Sequence, residues 1–291
     1  MTCDCCGSAE WVPLFSENGL RLGRCPDCAL LYVDDIPDPT ARMTEMEEGH
    51  YAGTQQINEA VKQSAGEVIQ RDRFQAFVDL ARRHRGDGRW LDVGCGGGLL
   101  LSLARDAGYD VEGIELSADR RALTEEATGA TVHGVPLEDV GYPDDAFDVV
   151  SLINVFSHLV SPARTFAELR RLLRPGGIVV MATGEFTAGV SKGDMLAWNL
   201  GDHLYFLGDG TIERYAAASG LRLIDHERRW LPDEMFSREW LRVKGRSGPK
   251  NALKTIIDRT PGGLRLLRAV MLRRQADSSA HSGTFVLTPA A

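Results

Sequence analysis

Residues Trp90 to Ser117 read WLDVGCGGGLLLSLARDAGYDVEGIELS. An apolar run meets glycines at 94, 96, 97 and 98, an apolar-periodic helix follows, and a second apolar run ends on Glu115. This predicts a strand–turn–helix–strand unit of the length a βαβ crossover needs. Gly94, Gly96 and Gly98 let the backbone turn tightly and, with no Cβ, let a ligand lie against it. The helix behind them offers free N–H groups and the positive end of its dipole. Glu115, at the carboxyl end of the second strand, stands where a carboxylate accepts hydrogen bonds from both hydroxyls of a ribose. The unit reads as a nucleotide site.

The dinucleotide fingerprint G-x-G-x-x-G would need glycine at position 99, which is Leu99. The spacing here is D-x-G-x-G-x-G, with Asp92 two residues ahead of the first glycine. A carboxylate at that point repels a pyrophosphate and suits a ligand carrying an ammonium or sulfonium. These residues resemble the S-adenosylmethionine-dependent methyltransferases with a Rossmann-like fold, whose first motif has this form. Two later segments extend the resemblance: Pro143 to Leu152, an acidic turn followed by F-D-V-V, and Pro175-Gly176-Gly177 ahead of a fifth strand. The resemblance implies an α/β fold, a seven-stranded doubly wound sheet whose last two strands form an antiparallel hairpin. It implies S-adenosylmethionine as methyl donor, with Asp92, Gly94 and Gly96 beside the methionine part and Gly98 completing the turn. By the same resemblance Glu115 binds the ribose, Leu116 packs on the adenine, and Glu138 or Asp139 reaches the adenine amino group. Asn154, at the end of the fourth strand, contacts the sulfonium side through its backbone.

Six cysteines lie at 3, 5, 6, 25, 28 and 95. Cys3-x-x-Cys6 and Cys25-x-x-Cys28 have the spacing of a zinc ribbon, two thiolate knuckles closing a tetrahedral shell with no open position. A redox pair is the competing reading of a single Cys-x-x-Cys; two of them with no βαβ unit nearby favour zinc. Cys5 reads as a bystander. So small a module has little core of its own, and the metal would supply its stability. The expected organisation is a ribbon over 1–36, a linker over 37–57 and a methyltransferase domain over 58–291, with a helical insertion about 240–278.

The chain has 291 residues, 43% apolar and 25% charged, which suits one full α/β domain plus a small module. No apolar run approaches the roughly 18 residues that span a bilayer, and the first residues do not form a signal peptide, so a cytoplasmic protein with no membrane partner is expected. The net charge of −8 argues against nucleic acid as the main partner. Between Arg228 and Gln275 there are 13 Lys/Arg against 4 Asp/Glu, a local +9, leaving −17 on the remainder. That basic stretch reads either as a solvated segment or as a docking surface for an anionic or carrier-bound substrate.

Apolar periodicity from Asn58 to about His84 predicts a long amphipathic helix. Further elements are expected at Ser117–Thr128 (helix), Ala130–Gly134 (strand), Pro162–Leu173 (helix, stopped by Arg174-Pro175-Gly176-Gly177) and Gly177–Thr183 (strand). Residues 184–207 read as an aromatic loop. A helix over Asp209–Ser219, a strand over Leu221–Trp230 and a closing strand over Thr284–Thr288 complete the chain.

Methyl transfer from a sulfonium is an in-line displacement that relies on positioning and exclusion of water. A hydroxyl acceptor would profit from a base, and histidine is the first residue type to consider. His203 and His158 are the candidate catalytic residues. Tyr51, Trp198, Asn199 and Tyr205 are candidates for the acceptor pocket; His50, as part of a lid, and Glu185 stand behind them. The leading expectation is methylation of a small organic acceptor in a sugar, polysaccharide or natural-product pathway, with O-methylation ahead of N- and C-. A zinc-ribbon RNA methyltransferase and a non-catalytic cofactor-binding scaffold are the alternatives. Against RNA, the ribbon region carries Arg21, Arg24 and Arg42 but Asp4, Glu10, Glu17, Asp27, Asp34, Asp35 and Asp38.

Overall fold

The computed structural model describes residues 2–17, 19–35, 65–186, 190, 200–229, 255–267, 269 and 280–290. The expected linker, His50, Tyr51, Trp198, Asn199 and most of the basic insertion lie outside the described residues. Within the insertion, 255–259 and 263–267 are helical.

The opening unit folds as expected. β4 (Arg89–Val93), α2 (Leu99–Asp106) and β5 (Asp110–Ile114) follow one another, and β4 and β5 pair in parallel from Arg89↔Asp110 to Val93↔Ile114. α1 (Ala65–His84) precedes them; α3 (Ala118–Thr128) and β6 (Thr131–His133) follow. β7 (Phe147–Ile153), α4 (Pro162–Leu172) and β8 (Leu173–Phe186) continue the winding, then β9 (Tyr205–Gly208), α5 (Thr211–Ser219), β10 (Leu221–Arg229) and β11 (Ala280–Pro289). The core sheet runs β6-β5-β4-β7-β8, all parallel, then β11 antiparallel to β8 and β10 antiparallel to β11. This is the expected seven-stranded doubly wound sheet.

Because side chains alternate along a strand, each central strand feeds two cores. Leu91, Val150, Leu152, Val179, Met181, Phe285 and Leu287 face one side, where they meet Phe166 and Leu169 of α4 and Ile212 and Tyr215 of α5. Trp90, Val149, Ile178, Val180, Ala182 and Val286 face the other, against Val78 and Ala81 of α1 and Leu100, Leu101 and Ala104 of α2.

Two expectations need correcting. Arg174 to Gly177 is not a helix stop followed by a fresh strand: α4 ends at Leu172, and β8 already begins at Leu173. The Pro-Gly-Gly step is absorbed as an irregularity between Phe147↔Leu173 and Val149↔Ile178, with Gly176 at φ +74. Nor is 184–207 loop throughout, since β8 continues to Phe186 and β9 starts at Tyr205.

The cysteine-rich segment supplies β1 (Val12–Glu17), β2 (Leu20–Arg24) and β3 (Leu31–Val33). β3 pairs with β9 (Leu31↔Phe206, Tyr32↔Tyr205), and β9 pairs with the far end of β8 (Glu185↔Leu207, Phe186↔Gly208). The ribbon strands therefore belong to the same hydrogen-bonded sheet as the core.

Candidate functional site

The glycine turn stands at the carboxyl end of β4, the edge where open α/β sheets take their ligands. Gly94, Gly96 and Gly98 have φ of +73, +58 and +77, which only glycine adopts without strain. A Cβ on Gly94 would lie 2.5 Å from Val155 Cγ2, and one on Gly98 would lie 2.8 Å from Thr124 Cγ2. A Cβ on Gly96 would meet nothing within 4 Å, so the turn presents open backbone there. Thr124 Oγ1 donates to the Gly96 carbonyl at 2.7 Å and pins the turn to α3.

Glu115 follows β5 directly. Its Oε2 accepts from Gly96 N–H and its Oε1 from Ser117 N–H, each at 2.9 Å. Two backbone donors fix the carboxylate plane, and each oxygen retains lone-pair capacity for a hydroxyl. Arg121 donates to the Glu115 and Leu116 carbonyls at 2.9 and 3.2 Å, bracing the segment from α3. Asp92 is buried and accepts from Ser151 Oγ at 2.6 Å. Burial pushes its carboxyl up to about 7, against the Ser151 hydrogen bond, and the nearby Glu115 charge adds to the rise.

Glu138 and Asp139 share a 3-10 turn over Leu137–Asp139. Glu138 Oε1 accepts from Thr165 Oγ1 at 2.6 Å, so that carboxylate is tied to α4, whereas Asp139 is exposed beside it. Asn154 is exposed at φ +60, an uncommon conformation for a residue other than glycine. Its N–H donates to the Ala182 carbonyl at 2.7 Å, so a backbone contact from Asn154 to a sulfonium would use its carbonyl.

Past Asn154, Val155 touches Gly94, and the 3-10 turn Phe156–His158 follows at once. His158 Nδ1 lies 2.7 Å from the Asp202 carbonyl. A carbonyl can only accept, so Nδ1 carries the hydrogen and the lone pair of the neutral ring sits on Nε2. His203 Nδ1 is 2.9 Å from Ser157 Oγ, and the two imidazole rings are 4.5 Å apart. The structure thus brings together two histidines read separately in the sequence, at the 3-10 turn that follows Val155.

Tyr205 is buried in β9; its hydroxyl donates to the Val160 carbonyl, and its ring stacks on Tyr32 of β3. Its side chain serves the junction between ribbon and core. Glu185 is also buried, and a two-pronged contact with Arg228 at 2.7 and 2.8 Å, with His226 at 3.1 Å, occupies both of its oxygens.

Cys3, Cys6, Cys25 and Cys28 bring their sulfurs within 4.8 Å of one another. Cys3 to Cys28 is 3.4 Å and Cys6 to Cys25 is 3.5 Å. Tetrahedral Zn–S bonds of about 2.3 Å put sulfurs about 3.8 Å apart, so the donor set fits a structural zinc. Cys5 is not one of the four, and its Sγ lies 4.0 Å from the Thr211 carbonyl.

Sequence reasoning missed Ser151, Arg121 and Thr124, which orient Asp92, Glu115 and the glycine turn. A signal was present on α3: Ser117, Arg121, Thr124 and Thr128 recur at helical spacing as a polar inner stripe, and Ser117, Thr124 and Thr128 are buried.

Comparison with known proteins bears on the fold and the family. A ubiquinone biosynthesis O-methyltransferase from Methylococcus capsulatus is 36% identical over 116 residues, 38% of this chain and 47% of that protein. A 2-methyl-6-phytyl-1,4-hydroquinone methyltransferase from Synechocystis is 38% identical over 97 residues, 32% of this chain and 30% of that protein. The matched stretch thus spans about half the length of the first relative and less of the second. A geranyl diphosphate C-methyltransferase from Streptomyces coelicolor superposes with a TM-score of 0.55 at 16% identity, covering 74% of this chain and 80% of that one, a likeness of fold. A family profile described as a methyltransferase domain matches residues 67–226, more than half of the 291, and the chain belongs to that family.

Proposed function

We propose that this protein transfers a methyl group from S-adenosylmethionine to a hydroxyl of a small organic acceptor. The observation that carries the reading is the Glu115 carboxylate, held by the Gly96 and Ser117 N–H groups beside a buried Asp92. That pair of acids suits a ligand with a ribose diol at one end and a cationic amino acid at the other. When bound, the donor supplies a methyl on a sulfonium, which a nucleophile displaces in line.

The protein's own part is positional. Gly94, Gly96 and Gly98 give the ligand a backbone floor, Asp92 faces its cationic end, Leu116 and Asp139 serve the adenine side, and the Asn154 carbonyl serves the sulfonium side. His158, its Nδ1 hydrogen fixed on Asp202, offers Nε2 to take the acceptor hydroxyl proton as the C–O bond forms and the C–S bond breaks. His203 stands beside it. This local arrangement, with relatives named for O-methylation, favours an oxygen acceptor over nitrogen or carbon. We assign the acceptor to a sugar, polysaccharide or natural-product pathway, free or carrier-bound, and the four cysteines to a structural zinc. Among the described residues no helix is long and apolar enough to cross a membrane.

Calorimetry with S-adenosylhomocysteine tests the donor half: we expect micromolar binding, and no heat at near-millimolar ligand would sink the reading. Glu115→Gln, which keeps the size but loses the charge, should weaken that binding by on the order of tenfold, equivalent to one charge-assisted hydrogen bond. Metal analysis tests the ribbon, where about one zinc per chain is expected for four thiolate ligands.

A further inference from the structure

The ribbon meets the core through a compact set of contacts, and its Asp4 is central to them. Helix α4 begins with Ser161 as N-cap and Pro162 in its first turn. Pro162 has no N–H to satisfy. The next donor, Ala163 N–H, goes to Asp4 Oδ1 at 2.8 Å, while Ser161 Oγ donates to Asp4 Oδ2 at 2.8 Å and accepts from Arg164 N–H at 3.4 Å. Asp4 Oδ1 also accepts from the buried Tyr215 hydroxyl of α5 at 2.9 Å. A carboxylate standing between Cys3 and Cys6 thus caps a helix more than 150 residues away, with the sign the helix dipole favours.

The second knuckle is held as closely. Thr211 Oγ1 donates to the Cys28 carbonyl at 2.8 Å and accepts from Gly208 N–H at 3.1 Å. A Cβ on Gly208 would sit 2.0 Å from the Ala29 carbonyl oxygen, so glycine is what lets β9 approach the knuckle. Val33 N–H donates to the Leu204 carbonyl, and Leu204 N–H to the Ser157 carbonyl. The chain of contacts therefore runs from the cysteines through β3 to Leu204, between His203 and Tyr205, and on to Ser157, beside His158. Among the described residues, the core partners of these ribbon hydrogen bonds fall between Ser161 and Tyr215. The Gly94–Ser117 unit makes its hydrogen bonds to the sheet and α3 instead.

We propose that the metal-loaded ribbon is the structural wall of the acceptor side, and that Asp4 is the positioning residue through which the first knuckle sets α4 and the His158–His203 pair. The glycine turn and the Glu115 carboxylate are built independently of it; on the adenine side the donor half meets α4 through Glu138 and Thr165. Loading the four cysteines orders the acceptor side and leaves the affinity for S-adenosylhomocysteine nearly unchanged. The identity of this face as the acceptor side rests on the function proposed above; the coupling itself does not.

The test is hydrogen exchange on the full-length, zinc-loaded protein and on the same protein stripped with a chelator under reducing conditions, with S-adenosylhomocysteine calorimetry on both. Stripping should speed exchange over 161–165 and 204–208 by on the order of tenfold or more, while exchange over 89–115 and the affinity for S-adenosylhomocysteine move by less than about threefold. Unchanged protection at 204–208 overturns the proposal, and so does loss of protection across 89–115, which would mean that the metal holds the whole fold. Asp4→Ala should retain its zinc yet reproduce the faster exchange at 161–165. Asp4→Asn, whose amide oxygen still accepts from Ala163, should restore most of the protection. Equal exchange in wild type and Asp4→Ala removes Asp4 from the role. Gly208→Ala, zinc retained, should loosen 204–208 alone. If loaded protein binds no S-adenosylhomocysteine, the methyltransferase reading fails while the exchange result still decides the coupling.

Discussion

Asp92 is a carboxyl whose burial makes it hold a proton near neutrality: from an ordinary 3.8 it is pushed up to about 7. The sign of the consequence is opposite to that of a salt-bridged acid. Between those two values the unfolded chain gives up a proton that the fold retains, so raising the pH through this window costs stability. A cationic ligand reverses the preference, since an ammonium beside Asp92 favours the carboxylate. Binding of S-adenosylhomocysteine, which keeps its amino-acid ammonium, should therefore release about half a proton at pH 7. Its affinity should rise about tenfold between pH 6 and 8, as the ligand-ready carboxylate fraction grows. Calorimetry in buffers of different ionisation enthalpy measures the proton directly. Asp92→Asn should abolish the release and flatten the pH profile. Binding without proton release in the wild type would place the ammonium away from Asp92.

At the scale of elements, α3 does more than fill the crossover between β5 and β6. Its Thr124 is fully buried and pins the Gly96 carbonyl, and its Arg121 clamps Glu115 and Leu116. Thr124→Val keeps the shape but removes the donor, and should cost about 1–2 kcal/mol of stability. It should also weaken S-adenosylhomocysteine binding several-fold, because the turn loses its tether; a urea titration and calorimetry check the two effects separately. Such local features were largely legible in the sequence: the glycine spacing, the two Cys-x-x-Cys knuckles and the F-D-V-V strand are written in consecutive residues. β9 was not, because four residues carry little periodicity and their partner, β3, lies about 170 positions earlier. Asp4 was read only as one of the charges arguing against RNA, since nothing near it in sequence announces a helix terminus at Ser161. The extension of β8 back to Leu173 was hidden for a different reason. Pro175-Gly176-Gly177 has the composition of a turn, and only pairing with Phe147 keeps it within the strand. The clustering of His158 with His203 is a tertiary fact of the same kind.

At the scale of the whole molecule, the two ends of the sheet divide the work. The carboxyl end holds the glycine turn, the histidines and the ribbon; the amino end holds an ion cluster around Asp148. That carboxylate is buried in β7 and accepts from Arg89 N–H at 2.9 Å, from Arg174 of β8 at 2.6 Å, and from Arg85, just past α1. Gly88, at φ +109, leaves the space it needs: a Cβ there would lie 2.1 Å from Asp148 Oδ2. Burial alone would raise its pKa, but the Arg89 N–H and the Arg85 and Arg174 guanidiniums outweigh it and hold the carboxyl below the ordinary carboxylate range. The stabilisation is therefore present above the unfolded pKa and is lost as the pH falls through the folded one. Asp148→Asn leaves two guanidiniums facing a neutral amide. A fully buried pair broken this way costs 3–5 kcal/mol, and because both arginines are part-exposed the expected loss at pH 7 is about 2–3 kcal/mol. Urea midpoints should show this gap narrowing as the pH is lowered below the ordinary carboxylate value, where the wild type loses the same charge. The affinity for S-adenosylhomocysteine, which we propose binds at the opposite end of the sheet, should stay within about twofold, as for distant and independent sites. A stability gap independent of pH would remove the ion cluster as its cause, and a large loss of affinity would show that the two ends of the sheet are coupled.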